Sequence, residues 1–122
     1  MNNTMINSIM QDAANMEAAD KLMTESLAAL EKHDWDKAYN KAMATLGISQ
    51  NIEQRLAAIM VQKLAEAMDA AAVVVILDEA YSTNNPYEAT VEAYKADRLK
   101  ASQDAYDELN KSVQAWNALV TD

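Results

Sequence analysis

One glycine, Gly47, and one proline, Pro86, in 122 residues leave this chain almost nothing with which to make tight turns. The hairpins of a β domain need residues that accept positive φ at corner after corner, and collagen-like and low-complexity chains need Gly and Pro in bulk. Long helices are what remains. Hydrophobic residues make up 51% of the chain, enough for a packed core, and a mass of 13.4 kDa suits one domain over 1–122.

The apolar spacing agrees. Ile6, Ile9, Ala13, Met16, Met23, Leu27 and Leu30 follow one another at helical intervals, with Asp20 as the acidic exception, and predict a helix from between Asn2 and Asn7 to about Lys32. His33 and Asp34 break the pattern. Asp34 is suited to cap a short helix carrying Trp35, Ala38, Ala42 and Leu46, which Gly47 is expected to close in a left-handed conformation. Asn51 with Gln54 three residues on predicts the next start, and a third helix should run to about Tyr81. It includes the run Val73–Leu77, which resembles a strand but has no partner strand elsewhere. Ser82-Thr83-Asn84-Asn85-Pro86 is the clearest break, with Asn85 as cap and Pro86 as first helical residue. The last helix presents Tyr87, Val91, Tyr94, Arg98, Ala101 and Ala105, then Tyr106, Leu109, Val113, Trp116 and Val120. The fold class is therefore all-α, an antiparallel helical bundle of three long helices and one short one.

The segment Asp34-Trp35-Asp36-Lys37-Ala38-Tyr39 resembles the pattern that opens the second helix of a tetratricopeptide repeat. The resemblance implies helix-pair packing for this stretch alone. Leu22, Glu25 and Ser26 stand where that family has Trp and a Leu-Gly pair, so the segment reads as a common way to seat a short helix.

Charge narrows the partners. Ten basic against nineteen acidic residues give −9, and the acidic excess is spread along the chain rather than gathered in a tail. Such a field repels phosphate backbones and anionic lipid, so direct nucleic-acid or membrane binding is not expected, whereas a basic protein partner suits it. The longest strongly apolar run, Ala70–Leu77, is too short to span a bilayer as a helix. No basic stretch leads into an apolar core near Met1, so a cytoplasmic location is the expectation, with specialised signal-less export as the alternative.

The chemical repertoire is thin. There is no cysteine, and His33 is the sole histidine, placed where a helix end rather than a metal would use it. Glu17 with Asp20 and Glu66 with Asp69 share helix faces, but the histidines of a ferritin-like metal pair are missing, and solvated carboxylates are the simpler reading. With one glycine no phosphate loop or nucleophile elbow is possible. No catalytic residue, cofactor or metal is expected. Asp20 and Arg98 interrupt two apolar stripes with opposite signs, which suggests a buried charge pair between them. Trp35, Tyr81 and Tyr87 lie at helix ends and are the candidate interface aromatics.

The expected role is a small acidic protein-interaction module: an inhibitor, immunity protein, adaptor or secretion-associated factor. A nucleic-acid mimic aimed at a DNA- or RNA-processing protein and a structural homo-oligomer subunit are the alternatives. Apolar stripes on three long helices exceed what one thin hairpin conceals, so a homodimer is also expected.

Overall fold

The computed structural model describes residues 3–81 and 86–121. Its helices are α1 (Asn3–Glu31), α2 (Trp35–Ile48), α3 (Ile52–Ala80) and α4 (Glu88–Thr121), an all-α bundle in which α2 is much the shortest. The valine run is helical. α2 pairs with both α1 and α3, while α4 pairs with α3 alone.

Helix lengths set the arrangement. At the standard rise α2 is about 21 Å long, against about 43 Å for α1 and α3. Turning back on α1, it covers only residues after about 18, and α3 turning back on α2 starts halfway up α1. The two long hairpins are therefore offset by about half a helix. The N-terminal half of α1 projects at one end and the C-terminal half of α3, accompanied by α4, at the other.

Small residues make the seams. Ala29 of α1, Ala38 and Ala42 of α2, and Ala58 and Ala65 of α3 are buried with Met23 and Val61, and Leu30, Trp35, Tyr39 and Leu46 pack around them. Alanine lets helix axes approach closely, so larger neighbours seal the edges of the seam instead of filling its centre. Two buried hydroxyls exploit that approach. Ser26 donates to the Ala38 carbonyl across α1 and α2 at 2.6 Å, and Ser102 donates to the Ala67 carbonyl across α3 and α4 at 2.9 Å.

Along α4 the covered residues, with Ala101 beside them, are Val91, Lys95, Arg98, Ser102, Ala105, Leu109, Ser112, Trp116 and Leu119. Their spacing alternates four and three throughout, the signature of a coiled-coil seam. Tyr94, Tyr106, Val113 and Val120 lie outside it. Lys63 with Glu108 at 2.6 Å, and Lys95 with Asp78, clamp the flanks of this seam. Each lysine is held above its ordinary range chiefly by the hydrogen bond to its carboxylate, and Glu108 is correspondingly lowered by Lys63.

The turns follow local chemistry, in places unlike the sequence expectation. His33, not Gly47, takes positive φ, at 60°. The Asp34 amide donates to the Ala29 carbonyl and the His33 amide to the Leu30 carbonyl, the paired bonds that close a helix on a left-handed residue. Asp34 then caps α2 by accepting from the Lys37 amide. Gly47 stays inside α2, which ends at Ser49, because Arg55 reaches back to donate to the Leu46 and Ser49 carbonyls at 2.7 and 2.8 Å. That cation caps the helix C-terminus. Asn51 caps α3 as expected. Ser82–Asn85, including the expected Asn85 cap, lie outside the described residues. Pro86 precedes α4 rather than opening it: the Val91 amide bonds the Tyr87 carbonyl, and the helix begins at Glu88.

Candidate functional site

Gln54 joins the beginning of α3 to α1. Its amide nitrogen donates to the Met16 carbonyl at 3.0 Å and to Asp20 Oδ1 at 2.6 Å, while its oxygen accepts from the buried Ser49 hydroxyl at 2.6 Å. This is where Asp20 is held. Arg98 lies on α4, bonded to Asp97 at 3.0 Å with its guanidinium over the Tyr94 ring. The structure does not bring Asp20 and Arg98 together, and the expected buried pair is replaced by an exposed Asp20 serving Gln54. The reason is register: the packed seam of α1 runs through Ala19, Met23, Ser26 and Ala29 and shares Met23 with the stripe that made Asp20 look internal, but is otherwise one position off it.

Trp35 is the best-placed of the candidate aromatics. It is half-buried at the start of α2 and stacks on His33 with centroids 4.9 Å apart and planes at 16°. Two clefts open beside it. One, of about 240 Å³, is walled by Trp35, Asp36, Tyr39, Ala65, Glu66 and Asp69; the other, of about 470 Å³, by His33, Trp35, Met68, Ala71, Ala72, Val75 and Ile76. Tyr81 follows α3 and Tyr87 precedes α4, both exposed, and neither lines these clefts.

A third groove, about 330 Å³, lies between α1 and the end of α4 over the start of α3, with Met16, Asp20, Met23 and Leu27 on one side and Trp116 on the other. Below it the projecting half of α1 exposes Met5, Ile9 and Met10, the last at 64%. These surfaces escape a stripe count, because they arise from the mismatch of helix lengths rather than from any one helix.

Among the described residues no three His, Cys, Asp or Glu side chains converge to hold a metal ion, and Glu66 of the suspected carboxylate pairs lies 3.7 Å from Lys63. No helix among them is long and apolar enough to cross a membrane. No protein-family model, curated protein or solved structure matches the chain.

Proposed function

We propose that the chain is a small acidic protein-interaction module that works by occupying a partner's surface. The observation behind this reading is exposed area: 8228 Å², roughly a quarter above the about 6,500 Å² expected for a compact monomer of this mass. Part of it is apolar surface on the two projecting half-helices, at Met5, Ile9, Met10, Met16, Val75 and Ile76, and exposed apolar patches mark contact sites. An inhibitor, immunity protein, adaptor or secretion-associated factor would each use such a surface by occlusion or bridging.

Affinity capture with the full chain from its native cells, followed by reconstitution with each purified candidate, tests the reading. A binary complex weakened by Ile9→Asp or Val75→Asp is the expected outcome. Failure of every captured protein to reconstitute would overturn it.

A second reading, a homodimer through α1, is favoured by residues 3–11, which expose Met5, Ile9 and Met10 and contain no charged side chain to repel a second copy. Sedimentation equilibrium should then show a species of twice 13.4 kDa. A monomer across micromolar to millimolar concentrations would reject the dimer.

A further inference from the structure

The two clefts that meet at Trp35 lie along one face of α3, since Ala65, Met68, Asp69, Ala72, Val75 and Ile76 recur at three- and four-residue intervals. They form a single trough about 16 Å long. One end is acidic and aromatic, the other almost wholly apolar. The trough also continues the seat of α2. Running antiparallel to α3, α2 begins at Trp35, and beyond that point this face of α3, unlike the one that carries α4, has no helix on it.

We propose that the trough receives an amphipathic helix of a basic protein, its apolar side on Ala71, Ala72, Val75 and Ile76 and a lysine or arginine among Asp36, Glu66 and Asp69. The proposal rests on the interaction-module reading and specifies its site. Charge is the first argument. Among the described residues Asp36 and Asp69 have no ion-pair partner, and the lysine nearest Glu66, Lys63, is 3.7 Å from it but 2.6 Å from Glu108. A cation entering between these carboxylates also meets the rings of Trp35 and Tyr39, and both attractions grow as the partner excludes water.

Shape is the second argument. Ala71 and Ala72 give the apolar end a shallow floor, as Ala58 and Ala65 do beneath α2, so a helix can approach closely there. Three or four turns of partner helix cover the trough, the usual scale of helix-in-groove recognition. A second copy is the poorer occupant. Residues 3–20, which carry the exposed α1 stripe, contain Asp12, Glu17 and Asp20 but no Lys or Arg to offer the carboxylate end.

The test uses the full chain and designed helical peptides of about 18 residues, about 27 Å long, with a leucine stripe flanked by Lys, Gln or Glu. Chemical-shift mapping with the Lys peptide should perturb the Trp35 indole and residues 65–76. Val75→Asp and Ile76→Asp, each at a site more than half exposed, should weaken binding about ten-fold with helicity unchanged; two variants guard against one that misfolds. The double variant Asp36→Asn with Asp69→Asn should weaken the Lys peptide about five-fold and flatten its salt dependence while leaving the Gln peptide unaffected.

Equal affinity for Lys and Glu peptides, perturbations on another face, or indifference to both Asp variants would overturn the proposal. So would sedimentation showing that Val75→Asp dissociates a dimer, which would make the occupant a second copy. A native partner that binds the Val75→Asp chain as tightly as wild type would sink this site yet leave the interaction module standing.

Discussion

Residues 3–18 and 19–31 of α1 carry the same kind of apolar spacing, yet all the buried residues, Ala19, Met23, Ser26 and Ala29, fall in the second half. The first half is helical and exposed along its length except at Ile6 and Asn15, which are half-covered. Periodicity thus reports which face of a helix is apolar, whereas coverage depends on whether a neighbour reaches that far. The neighbour here is α2, with 14 residues against 29 in α1. α3 repeats the contrast in reverse, with its start enclosed by α1, α2 and α4 and its end accompanied by α4 alone.

One substitution in each setting separates a covered helix face from an uncovered one. Ala42→Leu, in the close seam of α2, should destabilise the fold by about 1–3 kcal/mol or more, because no rotamer fits where helix axes nearly touch. Ala13→Leu, in the exposed half of α1, should change stability by less than about 0.5 kcal/mol. Reversible urea unfolding checks both. Equal costs would mean that α1's first half is packed in solution.

The buried hydroxyls come next. Ser26→Ala and Ser102→Ala should each cost about 1 kcal/mol, the net value of one interhelix hydrogen bond. Ser112, half-buried and donating only within its own helix to the Glu108 carbonyl, should tolerate alanine at about 0.5 kcal/mol or less.

Smaller effects separate the two turn residues. Gly47 has helical backbone and nothing within 4 Å of an added Cβ, so Gly47→Ala should stabilise by about 0.5–1 kcal/mol. At position 33 the preference inverts. His33→Gly should be about 1 kcal/mol more stable than His33→Ala, since only glycine takes positive φ without a side-chain penalty. Thermal unfolding of the four chains decides whether the left-handed residue sits at 33 or at 47.

The smallest expected effect is electrostatic. Lys41 bonds Glu25 across α1 and α2 at 2.7 Å and holds that carboxyl below its ordinary value, as Lys63 does Glu108 across α3 and α4. A carboxylate lowered in the folded state contributes stability above its unfolded value, 4.5, and loses it as pH falls through the lower folded value. Glu25→Gln and Glu108→Gln should each flatten the acid limb of the stability profile, measured by urea titration between pH 7 and pH 3. Lys63 and Lys95 are raised, so their part persists below 10.5 and disappears as pH climbs through the folded values.

Much of the architecture is legible because helix breaks have local causes. Asp34 and Asn51 carry side-chain acceptors one step before an apolar run, and both cap as expected. Gly47 misleads because its permissiveness allows a left-handed turn without requiring one, and Arg55, several residues on, supplies what ends α2 there. The packed seams are harder to read. A stripe count favours large residues, so it selects Tyr94, Tyr106 and Val113 on α4, whereas the facing positions include Lys95, Arg98, Ser102 and Ser112. Trp35 could be singled out from its place at a helix start. The trough beside it could not, because two of its walls meet only after α2 has folded onto α3.

The order of helix pairing has a kinetic consequence. Apart from the contact of α1 with α3, each helix packs on the next one along the chain, so few loops must close before a contact forms. Chains with such local wiring reach the folded state in about microseconds to milliseconds. The α3–α4 hairpin, with its own seam and flanking ion pairs, is shaped to form as a separate cooperative unit, and the first half of α1 as the segment that frays first. A folding chain therefore presents the α3 side of the trough before α2 arrives to add Trp35, Asp36 and Tyr39, and an acidic hairpin at that stage already repels copies of itself.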